Sequence, residues 1–135
     1  MINIYTDGAY ATSLDSGGWA FLVEKDNEVI FKTGDVVKQT TNNRMEIEAV
    51  FRALVYIKYY VPEDVKVNIY SDSMYVIGTL TQNWKIKKNK DLWKSMHTLL
   101  KSIKHEIKFT HVKGHSDNEY NNLCDELAVF YSKIN

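Results

Sequence analysis

The stretch from residue 40 to residue 49 reads Thr-Thr-Asn-Asn-Arg-Met-Glu-Ile-Glu-Ala, and this pattern marks the start of a helix. Four small polar residues precede an apolar run. Thr41, Asn42 or Asn43 can cap the helix, because a side-chain oxygen at that position accepts from the free N–H groups of the first turn. Glu46 follows Asn43 by three residues, which is the spacing of a capping box.

The two glutamates of this helix fall on different faces. Glu46 shares its face with the apolar residues at i+3, i+4 and i+7, so it points toward the packing surface. Glu48 has Arg52 four residues later, which is an ordinary solvent-exposed pair. A carboxylate on a packing face needs something that compensates its charge. Glu46 is therefore either a cap near the helix end or a ligand of a cation, and the second interpretation needs partner acids elsewhere.

Composition limits the class of protein. The chain has 135 residues, of which 44% are hydrophobic and 25% charged, which is one domain's length and enough for a buried core. The single cysteine, Cys124, excludes an internal disulfide and fits a reducing compartment. Neither a membrane span nor a secretion signal is visible, so we expect a cytoplasmic protein without a membrane partner. Because the net charge is zero, a nucleic-acid partner would have to be held by local positive charge.

Strand and helix patterns follow each other in an order that predicts a mixed sheet. The predicted strands are residues 2–6, 18–24, 28–33, 65–70 and 107–112. The predicted helices are one that begins after a cap at 41, 42 or 43 and ends near 59–60, two at 74–80 and about 90–104, and one from about 119. The first three strands are close in sequence and form an antiparallel meander, with a hairpin turn at 25–27 and loops at 9–18 and 34–41. The long helix then leads to a strand parallel to the first. We therefore expect an α/β fold whose five-stranded mixed sheet joins an antiparallel meander to two parallel strands, flanked by helices.

Four carboxylates stand out in this fold. Asp7 and Asp72 end two parallel strands, so they lie at the same edge of the sheet, although each alone is also an ordinary turn residue. Glu46 and Asp125 lie on packing faces of helices. Four clustered carboxylates repel each other unless cations neutralise them. Oxygen ligands alone favour Mg²⁺ or Mn²⁺, and two such ions about 4 Å apart suit in-line phosphoryl transfer.

A basic segment precedes the third helix. Residues 83–90 read Asn-Trp-Lys-Ile-Lys-Lys-Asn-Lys, with four lysines, one tryptophan and no acid. Such a run is usually a solvated face, but positive charge interleaved with aromatic rings is also how proteins hold a nucleic-acid backbone. The candidate contacts are Trp84, Lys85, Lys87, Lys88 and Lys90.

Five segments together resemble type 1 ribonuclease H. They are Tyr-Thr-Asp-Gly (5–8), Thr-Thr-Asn-Asn-Arg-Met-Glu (40–46), Ser-Asp-Ser-Met-Tyr-Val (71–76), Asp-Leu-Trp (91–93) and Val-Lys-Gly-His (112–115) with Cys-Asp-Glu-Leu-Ala (124–128). Their order and spacing follow the family over essentially the whole chain. The resemblance implies a ribonuclease H-like fold, a single catalytic domain over residues 1–135, and an endonuclease that hydrolyses the RNA strand of RNA–DNA hybrids. The products of this endonuclease would carry 5′-phosphate and 3′-hydroxyl ends. The enzyme would use two Mg²⁺ ions, with Mn²⁺ as a substitute, and would be a monomer.

The resemblance also implies residue roles. Asp7, Glu46, Asp72 and Asp125 would hold the metal ions, and His115 would help proton transfer or product release. Asn42 and Asn43 would meet the RNA strand in the minor groove, where 2′-hydroxyls are displayed. Thr41 and Asn89 would hold a phosphate of the DNA strand.

The chain also departs from the family pattern. The loop after Asp7 reads Ala-Tyr-Ala-Thr-Ser-Leu-Asp-Ser-Gly-Gly, with Ser13 where an asparagine is usual, and Met74 stands where a glutamine often contacts the hybrid. The basic segment is shorter than the extended handle of well-known bacterial members. Two alternatives stay open: a ribonuclease H domain excised from a reverse transcriptase, and a catalytically weak RNA–DNA hybrid-binding module. The four acids argue against the second, because a pure binder gains nothing from clustered negative charge.

Overall fold

A five-stranded mixed sheet forms the centre of the computed structural model, which describes residues 1–114 and 117–134. The strands are β1 (Ile2–Ala11), β2 (Ser16–Lys25), β3 (Glu28–Lys38), β4 (Val67–Ser71) and β5 (Ile107–His111). They lie in the order β3-β2-β1-β4-β5. β2 pairs antiparallel with β1 and β3, whereas β4 pairs parallel with β1 and β5. The predicted meander with two added parallel strands is confirmed.

The helices are α1 (Asn42–Tyr60), α2 (Met74–Thr81), α3 (Lys90–Lys101) and α4 (Glu119–Ser132), with a short 3-10 turn at Thr12–Leu14. Of the three candidate caps of α1, Thr41 is the one used, since its side chain accepts from the Arg44 N–H at 3.1 Å. The helix ends before Pro62, as expected, with Val61 in extended backbone. No helix in the described part of the chain is both long enough and apolar enough to cross a membrane.

Helices cover both faces of the sheet. Successive residues of a strand point to opposite faces of the sheet, so Ile4 and Tyr5 of β1 belong to two different cores. Ile4 belongs to a large apolar cluster with residues of α1 and α3, such as Leu54 and Met96. Tyr5 belongs to a smaller cluster with α4. α1 and α4 therefore pack on opposite faces and approach β1 from both sides.

Two predicted loops are strands in the structure. β1 continues through Ala11 and β2 begins at Ser16, so residues 9–18 form a paired hairpin, and β3 reaches Lys38 through residues predicted as a connection. The glycines of these segments mark places where other backbone comes close. A Cβ on Gly18 would lie 2.3 Å from the Ala128 carbonyl oxygen, and one on Gly34 would lie 2.4 Å from the Trp19 carbonyl oxygen. The hairpin turn at 25–27 is confirmed, with positive φ at Asp26 and Asn27.

Tertiary contacts set the exposure of two aromatic side chains. Phe130 follows Leu123 and Leu127 at helical spacing on α4, which predicts an inward side chain, but it is 61% exposed. Trp93 of α3 adjoins the lysine-rich segment but is 1% exposed and belongs to the large core. α3 also ends at Lys101 rather than at residue 104.

Candidate active site

The parallel pairing of β1 with β4 brings Asp7 and Asp72 together. Tyr5 and Tyr70 form the last aligned pair of these strands, and each aspartate lies two residues beyond it. The sequence suggested that Asp7 lies at the end of a strand. In the structure it does not, because β1 continues to Ala11 in its pairing with β2. Asp72 follows β4 directly. The two carboxylates therefore share the edge where the parallel part of the sheet stops.

Glu46 reaches this edge from the second turn of α1. The Gly8 N–H donates both to Glu46 Oε1 at 2.7 Å and to Asp7 Oδ1 at 2.9 Å. A Cβ on Gly8 would lie 2.4 Å from the backbone nitrogen of Glu46, so only glycine lets α1 approach β1 this closely. Glu46 thus faces the aspartates and does not fold back over the helix start as a capping box would require.

Asp7, Glu46 and Asp72 form a tight acidic cluster. Each offers one carboxylate oxygen, and these oxygens lie within 4.8 Å of one another. Burial first, and then the neighbouring carboxylates of Glu46, Asp125 and Asp72, together raise the pKa of Asp7 to about 11. Burial and the charge of Asp72 likewise raise the pKa of Glu46 well above its ordinary value. Three such groups cannot all be ionised here without a compensating positive charge.

The donor set fits a divalent cation. Asp7 is 2% exposed, and its Oδ2 atom accepts no hydrogen bond within residues 1–114 and 117–134. An unsatisfied buried carboxylate oxygen is costly, and a bound cation removes that cost. All the ligand atoms on offer are carboxylate oxygens. Mg²⁺ and Mn²⁺ prefer such ligands, whereas Zn²⁺ sites usually include histidine or cysteine.

Asp125 approaches the same site from α4. It is half-buried and close enough to raise the pKa of Asp7, but it is not among the three acids whose oxygens lie within 4.8 Å in the described chain. The preceding residue, Cys124, is fully buried, and its thiol points to the Tyr5 carbonyl at 3.3 Å and the Ala20 carbonyl at 3.4 Å. These contacts hold α4 against β1 and β2 beside Asp7.

The predicted His115 lies outside the described residues. Gly114 lies next to Asp72, since a Cβ on Gly114 would be 3.3 Å from Asp72 Oδ2.

Several predicted nucleic-acid contacts line one cavity of about 220 Å³. Its lining residues are Asn43, Tyr75, Lys85, Lys87, Lys88 and Asn89. Thr41, Asn42, Trp84 and Lys90 are exposed and are not part of this lining. The structure therefore brings the start of α1 and the basic segment together, although they are separated by about forty residues of sequence.

Two residues of this surface were not identified from the sequence. The Tyr75 hydroxyl accepts from Trp93 Nε1 at 2.9 Å and from Asn89 Nδ2 at 3.3 Å. Arg44 donates to both carboxylate oxygens of Asp91, at 3.0 and 2.8 Å, and to Asn89 Oδ1 at 3.3 Å. Asn89 is thereby held from both sides in left-handed backbone, with φ of 58°. No local pattern pairs these residues, so only the tertiary structure reveals them.

Comparison with known proteins points to one family. The ribonuclease H family model matches residues 1–132. The chain is 39% identical to the ribonuclease H of Thermoanaerobacter sp. (strain X514), covering 100% of this chain and 92% of that protein. It is 40% identical to the ribonuclease H of Acetivibrio thermocellus, covering 99% and 96%.

Two solved structures share the fold. LC11-RNase H1, crystallised in complex with an RNA/DNA hybrid, superimposes with a TM-score of 0.83 at 22% identity, covering 98% of this chain and 96% of that chain. RNase H1 from the halophilic archaeon Halobacterium salinarum NRC-1 gives a TM-score of 0.78 at 23% identity, covering 96% of each chain. At these identities the likeness establishes the fold.

Proposed function

The chain belongs to the ribonuclease H family, and from that premise we propose that it hydrolyses the RNA strand of RNA–DNA hybrids, leaving 5′-phosphate and 3′-hydroxyl ends. The observation that carries this proposal is the buried cluster of Asp7, Glu46 and Asp72, whose oxygens lie within 4.8 Å of one another. Neither alternative, an excised reverse-transcriptase domain or a weak hybrid-binding module, receives support from the relatives found.

The four acids would hold two Mg²⁺ ions, with Mn²⁺ as a substitute: Asp7, Glu46 and Asp72 form the buried part of the site, and Asp125 completes it from α4. When bound, the ions supply an activated water for in-line attack and stabilise the leaving oxygen. The Gly8 N–H fixes one oxygen each of Asp7 and Glu46, which leaves Asp7 Oδ2 free to act as a ligand. His115 would assist proton transfer or product release.

The hybrid would lie across the start of α1 and the cavity next to it. Asn42 and Asn43 would meet the RNA strand in the minor groove, and Thr41 and Asn89 would hold a DNA phosphate beside the lysines of the basic segment. The Asn89 side chain is prepositioned, because its Nδ2 donates to the Tyr75 hydroxyl and its Oδ1 accepts from Arg44. Since one chain supplies all four acids, residues 1–135 would act as a single catalytic domain and a monomer, and the free thiol of Cys124 fits a cytoplasmic location.

Cleavage assays on three labelled duplexes test this proposal. With Mg²⁺, the protein should cut the RNA strand of an RNA–DNA hybrid and should leave duplex DNA and duplex RNA intact. EDTA should stop the reaction. Cleavage of duplex RNA at the same rate as the hybrid, or metal-independent cleavage, would overturn the proposal, and hybrid binding without cleavage would favour the binding-module alternative.

A further inference from the structure

Positive charge is concentrated in one part of a chain whose net charge is zero. Residues 85–104 contain seven lysines and one acid, Asp91. Asp91 is bound by Arg44, which lies outside this segment, through hydrogen bonds of 3.0 and 2.8 Å. The acid is therefore already neutralised, and the lysines keep their full charge toward solvent. The basic segment at 83–90 accounts for only four of the seven lysines.

A line of basic residues along α3 begins at the last lysine of that segment. Lys90, Lys94, His97 and Lys101 recur at i, i+4, i+7 and i+11, which is one stripe of an α-helix, and all four are exposed. We call these four residues the α3 stripe. The opposite side of the helix carries Leu92, Met96 and Leu99, which pack in the large core. Because the buried side fixes the rotation of the helix, the α3 stripe faces outward as a unit.

A cleft between α1 and α3 adds a further cation beside the α3 stripe. The cleft has a volume of about 450 Å³, and its lining includes Lys58 from α1 together with Lys94, Thr98 and Ser102 from α3. Lys58 Nζ donates to Ser102 Oγ at 3.0 Å, which holds the ammonium group at the cleft. Within the described chain, no carboxylate lies within 4.0 Å of the charged nitrogens of Lys58, Lys94 or Lys101. Ammonium and hydroxyl groups are donors that phosphate oxygens accept.

The α3 stripe begins where the proposed hybrid surface ends. Lys90 follows Asn89 directly, and Asn89 lines the cavity that also contains Asn43. From Lys90 to Lys101 the helix rises about 16 Å, which corresponds to roughly five base pairs of duplex. A phosphate backbone that leaves the cavity could therefore continue along α3.

We propose that the α3 stripe, together with Lys58, binds the phosphate backbone of the hybrid beyond the cavity at Asn89, so that affinity depends on duplex length. This inference rests on the proposed function. Phosphate contacts release counterions, so each contact adds to affinity and to its salt dependence without reading sequence. The α3 stripe thus compensates for the short basic segment.

The test compares two double variants in an Asp7→Asn background, where the hybrid is not expected to be cut. Lys94→Ala/Lys101→Ala removes two charges of the α3 stripe. Lys32→Ala/Lys108→Ala removes two exposed lysines from β3 and β5 and is the matched control. Affinity is measured from low to physiological salt for a hybrid of about one helical turn and a hybrid of about three turns.

The α3 variant should bind the long hybrid several-fold more weakly at low salt, and its slope of log affinity against log salt should be shallower by roughly 1.4–1.8. The short hybrid and the control variant should show no change, and melting temperatures should match. Overlapping curves on the long hybrid, an equal loss on both hybrids, or an equal loss in the control would each overturn the inference. The proposed function is judged separately, by whether the unmutated chain cleaves the hybrid.

Discussion

Asp7 is the residue on which the site depends. It is almost fully buried, one of its oxygens accepts from the Gly8 N–H, and the other accepts nothing within the described residues. Like charges on Glu46, Asp125 and Asp72 surround it. Without a metal ion, the folded protein therefore holds a proton on Asp7 that the unfolded chain releases. Stability and metal binding are linked through this carboxyl group.

The first prediction is the pH dependence of metal-free stability. The folded pKa of Asp7, about 11, lies above its ordinary value of 3.8, so between these values the native state binds more protons than the unfolded state. The free energy of unfolding should therefore fall as pH rises above about 4, by at most about 1.4 kcal/mol per pH unit for each proton retained. Urea unfolding in EDTA at several pH values measures this. Saturating Mg²⁺ should flatten the curve, and a metal-free stability that rises with pH would contradict the account.

The second prediction contrasts two glutamates of α1. Glu46→Gln keeps an acceptor for the Gly8 N–H but removes a repelling charge, so the metal-free protein should be unchanged or more stable. Its Mg²⁺-induced rise in melting temperature should be lost, because a cation stabilises only a folded state that binds it. Glu48→Gln is the control and should keep the rise, because Glu48 lies outside the acidic cluster and pairs with Arg52 at 3.5 Å. Equal Mg²⁺ responses of the two variants would exclude Glu46 as a ligand.

At the scale of elements, the site depends on how closely α1 and α4 pack against β1. The strand, helix and strand that build the βαβ unit were predictable, because hydrophobic periodicity and the helix start at residues 40–46 specify them locally. The convergence of Asp7, Glu46 and Asp72 was predictable for the same reason, whereas the role of Asp125 stays a prediction. Periodicity does not tell which distant backbone approaches a glycine, so the extension of β1 and β2 into residues 9–17 and of β3 into residues 34–38 was missed. The burial of Trp93 and its bond to Tyr75 were missed too, since they depend on contacts across the fold.

The third prediction tests the contact between β1 and α1. Gly8→Ala would place a Cβ 2.4 Å from the Glu46 nitrogen, so α1 must shift and Glu46 must leave the aspartates. We expect a stability loss of about 1–3 kcal/mol and a marked loss of Mg²⁺-dependent cleavage by the protein that remains folded. Gly34→Ala meets backbone equally closely, but in β3, away from the acids. It should cost similar stability and leave the rate per folded molecule unchanged; equal rates in both variants would refute this role of Gly8.

At the scale of the whole molecule, charge is separated although the net charge is zero. Carboxylates converge at one edge of the sheet, and lysines surround the neighbouring cavity at Asn43 and Asn89. We therefore expect attraction for the phosphate backbone to come from the basic segment and the α3 stripe. We expect the acidic residues to determine the cleavage rate and the basic residues to determine the affinity for the hybrid, so mutations should separate the two.

The fourth prediction concerns the basic segment. Changing Lys85, Lys87, Lys88 and Lys90 together to alanine should weaken hybrid binding at low salt. Each lost phosphate contact should make the slope of log affinity against log salt shallower by roughly 0.7–0.9. The cleavage rate at saturating hybrid should change little, because none of the four lysines lies in the acidic cluster. Binding curves that overlap those of the unmutated chain would show that the segment is a solvated face.

The most direct test of the central claim is the Mg²⁺-dependent cleavage rate of an RNA–DNA hybrid by the Asp7→Asn protein, measured beside its affinity for the same hybrid. Asparagine preserves the size of the side chain and removes the charge that the cations require. We expect the cleavage rate to fall by at least about 10³-fold, while the affinity for the hybrid stays within a few-fold of that of the unmutated chain. An Asp7→Asn protein free of contaminating nuclease that still cleaves at close to the original rate would contradict it.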